Sequence, residues 1–219
     1  SQAFQEGRVY VQDESAMAVA YAADGQDGAR ILDLCAGVGG KSFHLADRNR
    51  ASHVTAVDTS PERLGRLRQN AKRLGLAQRV APVLGDARVV AHTEQAGVVV
   101  VDAPCTGLGI LRRRPDIRWR RRPRDLARFP LLQIALLKAA LEAVEPGGVV
   151  VYSVCSTEPE ETREVIGAVL AEHPAYAPEN VSAVLPGAWA RFADGPWLTV
   201  PPGPEDLDGF FIARLRRAR

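Results

Sequence analysis

Short apolar segments alternate with helical segments through most of this chain. The predicted strands are 30–34, 53–57, 80–84, 96–101, 149–153 and, late in the chain, 210–215. The predicted helices between them are 41–48, 61–74, 123–144 and 159–172. Strands that alternate with helices form a parallel sheet covered on both faces, as the almost all-valine segment 96–101 also indicates. We therefore predict an α/β fold with a doubly wound, mostly parallel sheet and a late antiparallel strand; residues 174–204 remain unassigned.

The composition is typical of one domain in a reducing compartment. With 219 residues, 46% of them hydrophobic, the chain can bury a full core. Three cysteines without regular spacing argue against a disulfide scaffold and favour the cytoplasm. No apolar run approaches the ~20 residues of a membrane span. The chain begins without methionine, and we interpret 1–219 as a single, monomeric domain cut from a longer protein, with residues 1–29 as a leading segment.

Positive charge is concentrated in one block. Eight arginines lie between residues 112 and 124 with one acid, Asp116, while the formal net charge of the whole chain is only +2. Arginine holds phosphate in a two-pronged fork, and Trp119 within the block offers a stacking surface. We predict nucleic-acid contact here, with a solvated charge run as the alternative. The candidate RNA-binding residues are Arg112, Arg113, Arg114, Arg118, Arg120, Arg121 and Arg122.

The turn after the first strand, Cys35-Ala-Gly-Val-Gly-Gly-Lys-Ser42, indicates an adenosine ligand. A phosphate loop would need glycine at position 35, and a dinucleotide fingerprint would need glycine where Ser42 stands. A glycine turn remains, followed by Asp58 at the end of the second strand, where it can accept hydrogen bonds from ribose hydroxyls. S-adenosyl-L-methionine fits, and we predict no metal; Cys35 itself is interpreted as a small buried residue. The cofactor-binding candidates are Cys35, Ala36, Gly37, Val38, Gly39, Gly40, Lys41, Asp58, Arg63, Asp86 and Asp102.

Two cysteines each follow a predicted strand. Cys105 lies in Asp102-Ala-Pro-Cys-Thr-Gly and Cys155 in Tyr152-Ser-Val-Cys-Ser. Loops beyond the carboxyl ends of parallel strands form the ligand crevice, so we expect both cysteines to face one site. Buried packing thiols are the structural alternative.

Together these motifs resemble the Sun (Fmu, RsmB-like) family of RNA cytosine-C5 methyltransferases. The resemblance covers about residues 8 to 216 and also includes Leu32-Asp-Leu-Cys-Ala-Gly-Val-Gly-Gly-Lys41, Val11-Gln-Asp-Glu-Ser15, Pro159-Glu-Glu161 and Asp208-Gly-Phe-Phe-Ile-Ala-Arg-Leu215. The segment Leu111-Arg-Arg-Arg-Pro-Asp-Ile-Arg-Trp119 further resembles the bacterial branch that acts on small-subunit ribosomal RNA. Gly37-Val38 and Val154 depart from the commoner Ala-Pro and Thr. The resemblance implies a Rossmann-like class I methyltransferase fold and, in bacterial members, an additional RNA-binding domain.

The chemistry of cytosine accounts for two thiols. C5 is a poor nucleophile until a thiolate adds to C6, and a second thiol could then serve as, or position, the base that removes the C5 proton. The residues alone leave open which cysteine attacks. The resemblance assigns attack to Cys155, product release to Cys105, and the N3 or N4 edge of the base to Asp102. We expect a helix starting at Pro159 to favour the Cys155 thiolate.

We therefore predict an S-adenosylmethionine-dependent RNA methyltransferase that makes 5-methylcytosine. Ribosomal RNA is the first candidate substrate and transfer RNA the second, and the target base must be unpaired or flipped out. An exocyclic-amine methyltransferase would need Pro-Pro-aromatic after an acid or amide, which Ala103-Pro-Cys105 disfavours. A non-catalytic RNA- or adenosine-binding module would have no use for two loop cysteines.

Overall fold

A mixed sheet forms the centre of the protein in the computed structural model, which describes residues 1–24, 28–91, 95–203 and 206–219. The strands are β1 (Arg30–Asp33), β2 (His53–Asp58), β3 (Val80–Leu84), β4 (Ala96–Asp102), β5 (Val144–Val154), β6 (Tyr176–Glu179), β7 (Ala193–Asp194), β8 (Trp197–Val200) and β9 (Phe210–Arg217). The α-helices are α1 (Gln2–Gln5), α2 (Glu14–Ala22), α3 (Gly40–Arg48), α4 (Pro61–Arg73), α5 (Ala87–Val90), α6 (Ile117–Arg120), α7 (Asp125–Ala143) and α8 (Arg163–Glu172).

The strand order is β3-β2-β1-β4-β5-β9-β8-β7, with β6 paired to β9. Strands β1 to β5 are parallel, and β9 runs antiparallel to β5. This confirms the predicted α/β class with its late antiparallel strand. The order reverses between β1 and β4, and such a switch point opens a crevice at the carboxyl ends of the strands.

Both faces of the sheet are covered. Val98 and Val100 of β4 pack with helices α2, α3 and α4, whereas Val99 and Val101 pack with α7 and α8. Alternate residues of a strand point to opposite faces, so the valine run supplies two cores at once. No helix of the described residues is long and apolar enough to cross a membrane.

Helix α4 begins as its sequence predicts. The Ser60 side chain accepts a hydrogen bond from the Arg63 amide, and Pro61 occupies the first turn. The chain turns out of the helix at Gly75 with a φ of +69°. Serine at the N-cap, proline just inside and glycine just beyond are the residues that helix ends prefer.

Three predictions about elements need correction. The segment 159–172 is not one helix, because a 3-10 turn over Pro159–Glu161 is separated from α8 by Thr162 at φ −119° and ψ −99°. Residues 145–148, which the sequence analysis placed between a helix and a strand, belong to β5, which shifts register against β4. The unassigned segment 174–204 contributes β6, β7 and β8 within its described residues.

Candidate active site

A cavity of about 880 Å³ opens at the carboxyl ends of the parallel strands. It is lined by the glycine turn after β1, the acids that follow β2, β3 and β4, and both loop cysteines. The predicted cofactor residues that line it are Cys35, Ala36, Gly37, Val38, Gly40, Lys41, Asp58, Arg63, Asp86 and Asp102. The crevice therefore brings the two predicted subsites, cofactor and thiols, into one continuous space.

Two positions of the first turn favour glycine for different structural reasons. Both have positive φ, +58° at Gly37 and +97° at Gly39. A Cβ at Gly39 would lie 2.5 Å from a ring carbon of Phe43, so this glycine lets helix α3 pack. A Cβ at Gly37 would meet no atom within 4 Å, so its backbone is left open to the cavity. Gly39, although predicted as a cofactor contact, does not line the cavity.

Cys35, which we predicted to be a small buried residue, is only partly buried. It lines the cavity and packs against the core that β4 shares with α7 and α8. Burial, with a smaller effect of Asp33, raises the pKa of its thiol, so Cys35 is a neutral thiol.

The acid after β2, Asp58, is almost fully enclosed. Its carboxylate accepts hydrogen bonds from the amide of Gly37 at 2.9 Å and the amide of Ser60 at 2.8 Å, and Arg63 lies 3.1 Å away. Asp58 therefore ties the glycine turn to the start of α4. This places a carboxylate with spare lone pairs at the cavity wall, as a ribose-binding acid requires.

The acid after β3, Asp86, is more exposed and caps the short helix α5. It accepts a hydrogen bond from the Arg88 amide and a second from the Arg88 guanidinium. The hydrogen bond from the Arg88 side chain lowers the pKa of the Asp86 carboxyl. Asp86 is therefore an ionised carboxylate at the edge of the cavity.

The two predicted thiols meet. The Sγ atoms of Cys105 and Cys155 are 3.1 Å apart, within hydrogen-bonding distance for sulfur. The hydrogen bond to Cys155, together with burial, raises the pKa of the Cys105 thiol well above its ordinary value. Cys105 is thus the thiol that retains its proton and can donate it towards Cys155.

A partly buried ion pair lies beside the thiols. Lys41 Nζ contacts Asp102 Oδ2 at 2.5 Å, and the Ser153 hydroxyl donates to Asp102 Oδ1 at 2.9 Å. Burial disfavours the ammonium of Lys41, but Asp102, Asp33 and the nearby Cys155 leave its pKa above the ordinary value. A charged ammonium therefore lies close to Cys155.

Glu161 holds the Cys105 loop and was missed as a site residue by the sequence analysis. It is fully buried and accepts hydrogen bonds from the Thr106 amide at 2.8 Å, the Thr106 hydroxyl and the Gln133 amide group at 3.0 Å. Its position two residues after Pro159 indicated a helix start. Only the contacts with Thr106 and Gln133 show that Glu161 holds the Cys105 loop in place. The Cys105 and Cys155 loops are thereby fixed against each other.

The predicted arginine block is divided in the structure. Arg113 chelates Asp208, which is 2% exposed, and lies 3.8 Å from Asp13. Arg112 donates to the Asp206 carbonyl. These two arginines join the block to the start of β9 and to the segment before α2, so their main contacts are internal.

Three more arginines also have partners in the protein. Arg114 and Arg120 lie 3.2 and 3.4 Å from the carboxylate of Asp116. Arg121 donates to the Thr106 carbonyl at 2.5 Å. Within the described part of the chain, Arg118 and Arg122 of the predicted set have no side-chain partner, nor has Arg124. The unpaired positive charge is therefore smaller than the sequence suggests, although Arg113, Arg114, Arg120 and Arg121 line the cavity.

Comparisons with known proteins agree on one group of enzymes. The family model described as 16S rRNA methyltransferase RsmB/F matches residues 20–216. A probable ribosomal RNA small subunit methyltransferase B of Bacillus subtilis is 38% identical, over 98% of this chain and 49% of its own length. The ribosomal RNA small subunit methyltransferase B of Yersinia pseudotuberculosis is 40% identical, over 97% of this chain and 48% of its own. The chain thus spans about half the length of these curated relatives.

Solved structures show the same fold. NSun6 from Pyrococcus horikoshii with SFG superposes with a TM-score of 0.88 at 29% identity, over 100% of this chain and 56% of that one. A methyltransferase homologue from the same organism superposes with a TM-score of 0.81 at 28% identity, over 99% of this chain and 70% of that one.

Proposed function

Because the chain belongs to the 16S rRNA methyltransferase RsmB/F family, we propose that it transfers a methyl group from S-adenosyl-L-methionine to C5 of a cytosine in RNA. Small-subunit ribosomal RNA is the proposed substrate, which the names of the curated relatives support. The observation that carries the proposal is the pair of sulfur atoms 3.1 Å apart at the ends of β4 and β5. Two thiols in contact at the wall of one cavity are what addition to C6 and later release require.

Cys155 is the proposed nucleophile. Its neighbour Cys105 retains a proton and can donate a hydrogen bond, and Lys41 supplies positive charge nearby. As a thiolate, Cys155 adds to C6 and makes C5 electron-rich. Cys105, which keeps its own proton and contacts the same sulfur, then positions a water molecule as the base that removes the C5 proton, and the electrons of the C5–H bond expel the Cys155 thiolate.

Asp102 is proposed to hold the amino edge of the cytosine. Its two carboxylate oxygens are fixed by Lys41 and Ser153, and each keeps a lone pair for a further donor. An amino group at N4 can donate to this carboxylate. The Lys41 ammonium next to it offsets the negative charge that grows on the ring when sulfur adds.

The cofactor is proposed to bind between the glycine turn and the acids after β2 and β3. When bound there, S-adenosyl-L-methionine supplies an electrophilic methyl group. The residues fit such a ligand, because the open backbone at Gly37 and the enclosed carboxylate of Asp58 lie next to each other. The neighbour NSun6, with its bound SFG, supports a cofactor of this kind.

The two cysteines can be separated by trapping. We expect Cys155→Ala to abolish methylation and to form no covalent complex, since no thiolate adds to C6. We expect Cys105→Ala to add and to methylate but to accumulate a covalent protein–RNA complex, since release fails. Denaturing gels of each variant with RNA and S-adenosylmethionine, together with 5-methylcytosine quantification, measure both outcomes.

The double variant Cys105→Ala/Cys155→Ala is the control and should give no band. A trapped band with Cys155→Ala and none with Cys105→Ala would reverse the two roles. Undiminished methylation by both single variants would refute the thiol mechanism.

A further inference from the structure

The short helix α6 is attached to the loop that carries Cys105. Ile117, at its start, is 8% exposed, and a Cβ at Gly107 would approach its Cδ1 atom to 3.0 Å. Arg121, just beyond the helix, donates to the carbonyls of Thr106 at 2.5 Å and Cys105 at 3.3 Å. The position of α6 is therefore fixed relative to the thiols.

This helix displays a tryptophan to solvent. Trp119 is 80% exposed and lies two residues from the buried Ile117, on the opposite side of the helix. Trp189 and Trp197, by contrast, pack against Phe192 and Phe211 at ring distances of 5.9 and 6.2 Å. Among the described residues, no aromatic ring contacts Trp119. A large ring held on an anchored helix but left uncovered indicates a binding surface.

The charge around Trp119 indicates what kind of ligand covers it. Arg118 and Arg120 are its direct neighbours, and Arg120 also lines the cavity. Arg118 and Arg122 have no side-chain partner within the part of the chain that the structure describes. Bases stack on aromatic rings while phosphates pair with arginine, so this combination fits a nucleic-acid strand that enters the cavity.

We propose that Trp119 is the stacking surface for the nucleobase next to the target cytosine. The inference rests on the proposed function, because it requires the cytosine to leave its stack and enter the cavity. A flipped base leaves its neighbour with one uncovered face. The indole replaces the lost stacking partner on that face, and the arginines beside it hold the adjoining phosphates. Because every base has a π-face, this contact fixes the position of the RNA strand relative to the cavity without selecting a sequence.

Binding of a short single-stranded RNA with one cytosine tests the proposal on this chain. Trp119→Ala should raise Kd by roughly 30-fold, the middle of the range for loss of one base–aromatic stack. Trp119→Phe keeps an aromatic face and should recover most of the affinity. Leu131→Ala is the matched control, because Leu131 is a comparably exposed apolar side chain, 71% exposed, that lies outside helix α6 and the arginine block. Its Kd should equal that of the wild type.

Abasic nucleotides locate the contact. RNA with an abasic site immediately 5′ or immediately 3′ of the cytosine should bind the wild type more weakly at one of these two positions. The same change should cost nothing in Trp119→Ala, because the base and the ring act as one pair. Quenching of indole fluorescence should accompany binding in a Trp189→Phe/Trp197→Phe variant, in which Trp119 is the remaining tryptophan.

The outcomes distinguish this inference from the proposed function. If Trp119→Ala binds RNA as the wild type does and neither abasic site couples to it, the stacking role is refuted, whatever the methylation assay gives. If stacking is observed but the wild type makes no 5-methylcytosine, the proposed function fails while the base contact stands. A surface that binds RNA through its arginines alone would not respond to the presence of an aromatic ring at position 119. Recovery of affinity by Trp119→Phe therefore separates stacking from a general loss of charge contacts.

Discussion

At Asp58, three donors of the protein already share the carboxylate. The amides of Gly37 and Ser60 donate to it, and Arg63 pairs with it. Asp102 is similarly occupied by Lys41 and Ser153. Each acid therefore shapes its own loop before it meets a ligand, and removing it affects the loop as well as the contact.

We expect Asp58→Ala to weaken binding of S-adenosylmethionine by about 1.5–3 kcal/mol, the net value of a hydrogen bond to a charged group. Isothermal titration calorimetry measures this directly. Asp86→Ala is the comparison, and its effect should be smaller because Asp86 is exposed and paired with Arg88. Unchanged affinity in Asp58→Ala, with circular dichroism like that of the wild type, would remove Asp58 from the cofactor site.

Among the elements, strands β1 to β4 and the part of β5 from Val149 onward could be predicted from sequence, because each is a short apolar run next to a clear turn or cap. The helix after Cys155 could not be predicted correctly. Pro159 and the two glutamates have the local signature of a helix start, but Glu161 is drawn inward by Thr106 and Gln133. Contacts 55 residues apart outweigh the local preference, and the helix begins only at Arg163. Helix α8 therefore does not begin beside Cys155 as predicted, and a charged group near this thiol is Lys41.

The arginine block shows the same limit. Its basic character is obvious in the sequence, but the partner of Arg113, Asp208, lies 95 residues away along the chain. Only the fold shows that Arg112, Arg113 and Arg121 are engaged with the protein while Arg118 and Arg122 point to solvent. Composition therefore predicted the place of the basic surface and overestimated its free charge.

Neutralising the three solvent-facing arginines tests this surface. In an Arg118→Gln/Arg122→Gln/Arg124→Gln variant, the slope of log K against log salt for single-stranded RNA should become less steep by about 2, since each lost phosphate contact contributes ~0.7. Fluorescence anisotropy at several salt concentrations measures the slope. A triple variant at Arg50, Arg68 and Arg219, exposed arginines that do not line the cavity, is the control. An equal slope in both triple variants would show that the block is only a solvated surface.

On the scale of the whole molecule, residues of both hydrophobic cores line the site, and the buried acid Asp33 lies there with them. Asp33 ends β1, has no exposed surface and accepts a hydrogen bond from the Ser42 hydroxyl at 2.6 Å. The sequence analysis treated this position as part of a strand and gave it no role. Its burial follows from packing of α3 across the strand end, which a strand pattern does not reveal.

The stability of the fold should depend on the protonation of Asp33. Burial raises its pKa from 3.8 to about 6, although the hydrogen bond from Ser42 opposes this. The folded state thus holds the proton more tightly than the unfolded state, so this contribution to stability is complete below the unfolded value and is lost as pH rises through about 6. Asp33→Asn cannot ionise, and its amide group can still accept from the Cys35 amide through its oxygen and donate to the Ser42 hydroxyl through its nitrogen. Its free energy of unfolding relative to the wild type should therefore increase by about 2.5 kcal/mol between about pH 4 and pH 8. Urea titrations across this range measure the difference, and parallel pH profiles for the two proteins would contradict a protonated, buried Asp33.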